Sequence, residues 1–140
     1  MRRPLRLEAD DSEGLTIIAA CLQDALVLLG DMAYLPEEKR FVLVANRFIW
    51  EEAPEAGDAP HARVSAGVSF DQVTGVKRRN VDPTRADEIL SLLTIHAADD
   101  GGIELIFAGG GAIRLETGGI ACHLADLGEP WPTQWRPQHE

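Results

Sequence analysis

Three side chains of this sequence could do chemistry if the fold brought them together: His96, Glu104 and Arg114. A histidine beside a carboxylate can act as a general base, and Arg114 is within reach of Glu104 for a cross-strand pair. They meet only if segments 89–97, 103–107 and 112–117 are neighbouring strands with these residues on one face. The run Lys77-Arg78-Arg79, with Arg63 and Arg85 close in sequence, is the main internal concentration of cations. It suits an acidic partner or a phosphate-bearing ligand. It also suits the edge of a sheet guarded by charge against unwanted pairing, and that reading is preferred. Trp131 and Trp135 stand among Pro130, Pro132 and Pro137. Prolines disfavour a regular ladder, so residues 129–140 are expected to form an extended tail. Tryptophan is a frequent interface anchor: Trp131 is read as clamping the tail to its own domain, and Trp135 serves tail or partner equally well.

Other candidates carry less. Cys122-His123 with Asp126 lacks the Cys-x-x-Cys or His-x-x-x-His spacing of a metal site, so no metal and no cofactor are expected. Neither Cys21 nor Cys122 sits in the sequence context of a cysteine nucleophile. Gly109-Gly110-Gly111 invites a phosphate cradle, but a P-loop needs Gly-Lys-Ser/Thr entering a helix, and Ala112-Ile113-Arg114 enters a strand pattern.

The elements that must position these residues are organised around Ile103–Thr117, two alternating apolar runs flanking the glycines. A three-residue loop at Gly109–Gly111 sets Phe107 opposite Ile113, Leu105 opposite Leu115 and Ile103 opposite Thr117. It places Glu104, Ile106, Arg114 and Glu116 on the other face. Arg114 then lies opposite Ile106 and diagonal to Glu104. Asp99-Asp100-Gly101-Gly102 is a strong turn. It keeps Leu93, Ile95 and Ala97 on the face of Leu105, and Thr94 and His96 with Glu104 and Ile106.

Upstream, a helix is expected over Asp11–Gln23, with Asp10 or Ser12 as its cap and Leu15, Ile18, Ala19 and Leu22 as one apolar stripe. Ala25–Leu29 and Met32–Leu35 read as short runs parted by Gly30-Asp31, a turn or bulge signal. Phe41–Trp50 is apolar at both parities and suits a central strand. Residues 51–62, acidic and rich in proline and alanine, read as a mobile surface loop inside one domain. Arg63–Phe70 alternates, and Asp71-Gln72 leads into Val73–Arg79 as a further hairpin arm. Ile120–Leu127 is read as a bent continuation of the hairpin strand in preference to a terminal helix.

The 140 residues carry a formal net charge of −10 with 26% charged and 45% hydrophobic residues. That balance suits one globular domain and argues against nucleic acid or an anionic membrane as partner. No run of apolar residues is long enough to span a bilayer, and two cysteines with no evident pairing suit a cytoplasmic protein. The segments Gly30-Asp-Met-Ala-Tyr-Leu-Pro36, Arg40-Phe41, Asn46-Arg47-Phe48, Phe107–Glu116 and Asp126-Leu-Gly-Glu-Pro-Trp-Pro132 together resemble DUF2948, a family of bacterial proteins catalogued as a domain of unknown function. The resemblance covers nearly the whole chain and implies no catalytic or ligand residues.

These readings combine into an α+β fold, mainly antiparallel β: a strongly bent sheet or partial barrel of about seven or eight strands with the N-terminal helix packed on it. A pleckstrin-homology-like barrel is the alternative. The expected function is a non-catalytic binding or protein-interaction domain, monomeric or homodimeric, with an unknown protein or small molecule as partner. The alternative is a ligand-binding protein or enzyme using His96, Glu104 and Arg114. Ile106, Lys77, Arg78, Arg79, Trp131 and Trp135 complete the candidate surface.

Overall fold

In the computed structural model, which describes residues 4–49 and 61–133, most of the apolar alternation is used in strands. These are β1 (Arg6–Ala9), β2 (Leu26–Leu35), β3 (Arg40–Phe48), β4 (His61–Phe70), β5 (Val73–Arg79), β6 (Ile89–Ala97), β7 (Ile103–Phe107), β8 (Ala112–Thr117) and β9 (Cys122–Thr133). One helix, α1 (Ser12–Cys21), completes the described residues. All neighbours pair antiparallel in one open sheet of order β1-β9-β4-β3-β2-β6-β7-β8-β5. Among the described residues the sheet thus has nine strands, more than the sequence suggests, because β1 precedes the helix and β9 adds another. The two short runs at 25–29 and 32–35 are one strand, β2. Edges at β1 and β5, and a strand as the last described element, replace the pleckstrin-homology-like barrel with its C-terminal helix.

The connectivity forces the sheet to bend. Phe70 ends β4, third in the order, and Val73 begins β5, the ninth. Three residue steps reach at most ~11 Å, whereas six flat inter-strand steps would separate them by ~29 Å. The β4–β9 ribbon therefore runs around a corner into the β5–β8 ribbon. Backbone bonds tie the two turns together there, from Asp71 N to Ala121 O (2.8 Å) and from Gly118 N to Gln72 O (3.3 Å). β5 is consequently not the return arm of a hairpin with β4: it pairs with β8. Residues 122–127 are strand, reached around the corner from β8.

Folding the halves together buries one core. Phe41, Leu43 and Ala45 of β3, Ala66, Val68 and Phe70 of β4, and Leu105, Phe107, Ile113 and Leu115 of the β7–β8 hairpin all belong to it. The stripe Leu15, Ile18, Ala19 and Leu22 of α1 is buried with them, and the helix packs against β6 and β1. Its cap is Asp11, whose extended backbone lets the side chain accept from Gly14 N at 2.7 Å. The helix is accordingly shorter than 11–23 and is not capped by Asp10.

Gly30 is no turn. Its N–H donates to Ala86 O (2.8 Å), and a Cβ there would meet that same oxygen at 2.9 Å. Close approach of the 82–88 connection explains the glycine and accompanies the register shift in β2 between Val27 and Met32.

The expected loop over 51–62 lies outside the described residues except for His61 and Ala62, the first residues of β4. Trp135 also lies outside them. The tail is not free of the ladder: Trp131, Pro132 and Thr133 pair with Arg63, Ala62 and His61. An irregularity around Gly128 (φ +68°) separates this pairing from Ser65–Leu127. Pro130 falls inside that irregularity, where no ladder hydrogen bond is needed from it.

Candidate functional site

The β7–β8 hairpin pairs Ile103 with Leu115, Glu104 with Arg114, Leu105 with Ile113 and Ile106 with Ala112. The loop spans 107–111, with Phe107 N donating to Gly111 O at 2.9 Å and positive φ at Gly109 (+89°) and Gly110 (+92°). The glycines are therefore turn residues. The register differs by two residues from the sequence expectation because the turn is longer. A shift of two keeps every side chain on its face, but it sets Arg114 directly opposite Glu104 instead of diagonal to it. On β6, His96 faces Glu104 and Ile95 faces Leu105, as the alternation implies. A register shift between Leu92 and Thr94 puts Leu92 in the core and leaves Leu93 36% exposed, reversing the face assigned to that residue.

His96 Nε2 lies 2.8 Å from Glu104 Oε1. An ionised carboxylate only accepts hydrogen bonds, so neutral His96 carries its proton on Nε2 and keeps Nδ1 as an acceptor. Arg114 is the hub. It donates from Nη2 to Asp100 Oδ1 (2.6 Å), from Nε to Glu116 Oε1 (3.0 Å) and from Nη1 to Glu104 Oε2 (3.4 Å). Its hydrogen bonds hold the carboxyl groups of Asp100 and Glu116 below their ordinary values, and those bonds in turn push its own ionisation further up. Lys77 on β5 stands opposite Arg114 in the ladder and reaches Glu116 at 3.4 Å.

Gly102 makes this arrangement possible. A Cβ there would lie 2.6 Å from Arg114 Nη2 and 2.8 Å from Cζ. Sequence reasoning assigns Gly102 to a turn; its absent side chain is the space the guanidinium occupies.

On this face a depression of about 280 Å³ is lined by Lys77, Arg78, Arg79, Glu104, Ile106 and Arg114, with Ala112 and Ile113. The structure thus gathers seven of the candidate residues into one half of the sheet: His96, Glu104, Ile106, Arg114, Lys77, Arg78 and Arg79. His96 stands beside the depression through Glu104 and does not line it. Trp131 belongs to β9 in the other half. Lys77 is paired and Arg114 is saturated with carboxylates. Arg78 and Arg79, both exposed, form no ion pair with any described residue.

Cys122, His123 and Asp126 do not converge. Cys122 is buried, and burial pushes its thiol up to about 12, helped by the Asp71 charge. His123 points to the opposite, exposed face, 3.6 Å from Glu8 and 3.7 Å from Asp71. Asp126 has a different role that sequence reasoning misses. Its Oδ1 accepts from Arg47 Nε (2.8 Å) and its Oδ2 from Arg47 Nη2 (2.9 Å), and both side chains are wholly buried. Oδ2 also accepts from Leu5 N (2.9 Å), while Asp126 N donates to Leu5 O (2.9 Å), fastening the start of the chain to β9. The signal was present: Arg47 continues the inward parity of Phe41, Leu43 and Ala45, and Asp126 that of Cys122 and Leu124. Nearby, Arg63 is buried and donates from Nη1 to Asn46 O (2.9 Å); burial lowers its pKa against the pull of Asp24.

Compared with known proteins, residues 5–139 match the sequence model of a family described as a protein of unknown function (DUF2948). No curated protein and no solved structure matches the chain.

Proposed function

Since this chain belongs to DUF2948, whose description carries no activity, we propose from its geometry that it is a non-catalytic binding domain that recognises an anionic partner through the outward face of β5, β8 and β7. The observation that carries this reading is the depression lined by Lys77, Arg78, Arg79, Glu104, Ile106 and Arg114; of its cations, Arg78 and Arg79 form no ion pair with any described residue, Arg79 lying on the outward face and Arg78 alternating to the other face of β5. In a chain of net charge −10, such a patch attracts anions locally while the rest of the surface repels them, which favours one docking orientation. Ile106 and Ala112 give the depression an apolar floor. His96, exposed and held by Glu104 outside the lining, serves this surface as part of its hydrogen-bond network. Cys21 and Cys122, which are not joined in a disulfide, agree with a cytoplasmic setting.

Tripolyphosphate is a suitable first probe, because it carries charge and nothing else. Titrated into isotope-labelled protein, it should move the amide resonances of Lys77–Arg79, Ile106 and Ala112, with an affinity that falls steeply as salt is added. The double variant Arg78→Glu/Arg79→Glu should abolish these shifts. Shifts spread evenly over the protein, or unchanged in the double variant, would overturn the proposal.

A further inference from the structure

We infer that the anionic partner is an extended acidic segment of another protein, and that it docks by adding a strand to the free edge of β5. This deepens the reading above and rests on it. β5 is last in the sheet order, with β8 as its one ladder neighbour among the described residues. Val73 N is satisfied by Lys39 O at 2.8 Å and Val73 O by the Tyr34 hydroxyl at 3.0 Å. Beyond that point, from Gly75 to Arg79, no backbone bond to a described residue lies outside the β5–β8 ladder. An antiparallel pair uses only alternate N–H and C=O groups of each strand. The remaining groups of this stretch point away from β8, a template for a further strand.

The side chains choose which strand. Lys77 and Arg79 stand opposite Arg114 and Ala112 and so share the outward face, whereas Arg78, opposite Ile113, takes the other face. An incoming strand would meet cations on both of its faces. A second copy of β5 would bring Lys77, Arg78 and Arg79 against their own kind, and directly opposed like charges disfavour pairing. The charge that guards this edge against neutral or basic strands thus becomes the selector for an acidic one. Both readings of the basic run then hold together: the edge is closed to its own copy and open to a strand that carries carboxylates.

The test uses the whole protein and a synthetic peptide of about seven residues, glutamate alternating with valine, long enough to cover Gly75–Arg79. Two further peptides carry N-methyl groups on alternate residues, one set at the glutamates and one at the valines. Strand addition requires one set of peptide N–H groups and leaves the other in solvent. One N-methylated peptide should therefore bind like the parent and the other at least about tenfold more weakly. Arg78→Glu/Arg79→Glu should weaken the parent by at least about tenfold as well.

If both N-methylated forms bind like the parent, strand addition is wrong, although the anionic-face reading stands. If both lose binding equally, a ladder is again excluded. If tripolyphosphate and every peptide leave β5 and β8 resonances unmoved, the face reading itself fails.

Discussion

Two arginine–carboxylate clusters sit in this fold, and they differ in nearly everything except chemistry. Arg47 and Asp126 are fully buried and joined by two parallel hydrogen bonds, and Asp126 also fastens Leu5. Arg114 is partly exposed, with its guanidinium shared among Asp100, Glu104 and Glu116. The first pair has left water entirely, so removing one member takes from the other a buried counter-charge held by two hydrogen bonds. The second remains hydrated and screened, so its members can be exchanged at small cost to the fold. The buried cluster therefore holds the molecule together, and the exposed one shapes a surface.

The largest effect that can break this comparison comes from Arg47→Ala. It removes the doubly hydrogen-bonded counter-charge of a buried carboxylate and should cost about 3–5 kcal/mol in urea unfolding. The double replacement Arg47→Met/Asp126→Leu should recover much of that loss, though not all, because Leu5 N would lose its acceptor. A single-variant cost no larger than that of Arg114→Ala would erase the distinction between the clusters.

Cys122 offers a second, pH-dependent view of the buried half. Its thiol is pushed up to about 12 from an ordinary 9.0, so the folded state holds the proton more tightly than the unfolded chain. The corresponding stability is complete below pH 9.0 and is lost as pH rises from there toward 12. Alkylation at pH 8 should spare Cys122 in the native protein and proceed at the rate of unfolding, accelerated in Arg47→Ala. Rapid modification of Cys122 without unfolding would contradict the burial.

These clusters also mark what the sequence made legible. The face containing His96, Glu104, Ile106 and Arg114 follows from strict alternation about a glycine turn, and parity survives an error of two residues in loop length. The edge position of Lys77–Arg79 follows from its composition, because charge is what an unpaired strand carries. What could not be read locally was pairing between distant segments. That β5 joins β8 and β9 joins β4 depends on a corner at Asp71-Gln72 and Gly118–Ala121, which no short-range pattern encodes. Arg47 was hidden for a related reason: an arginine in a strand reads as solvent-facing until its partner, far along the chain, is known to share its face.

The exposed cluster should answer pH in the opposite sense to Cys122. Asp100 and Glu116 titrate below their ordinary values of 3.8 and 4.5 because Arg114 hydrogen-bonds their ionised forms. Their contribution is present above those values and is lost as pH falls through the depressed folded-state values. Carboxyl resonances followed by NMR should show both midpoints below 3.8 and 4.5. Arg114→Gln should return them upward, and added salt should narrow the difference. Midpoints unchanged in the variant would remove Arg114 from its place as hub.

The smallest expected effect on stability is the most specific to this surface. In Gly102→Ala, the new methyl would sit 2.6 Å from Arg114 Nη2 and 3.2 Å from Leu115 O. The backbone oxygen cannot move far, but the end of an arginine can. The guanidinium should therefore swing away from Asp100, while its Nε contact to Glu116, lower on the side chain, is less disturbed. Asp100 should then titrate closer to 3.8, with Glu116 little changed and the melting temperature almost unaltered. A released guanidinium also adds an uncommitted cation to the depression beside Arg78 and Arg79, so tripolyphosphate should bind more tightly than to the native protein. Weaker binding together with a displaced Asp100 titration would mean that the paired Arg114 contacts the anion itself, and the division of labour between Arg114 and the β5 arginines would have to be redrawn.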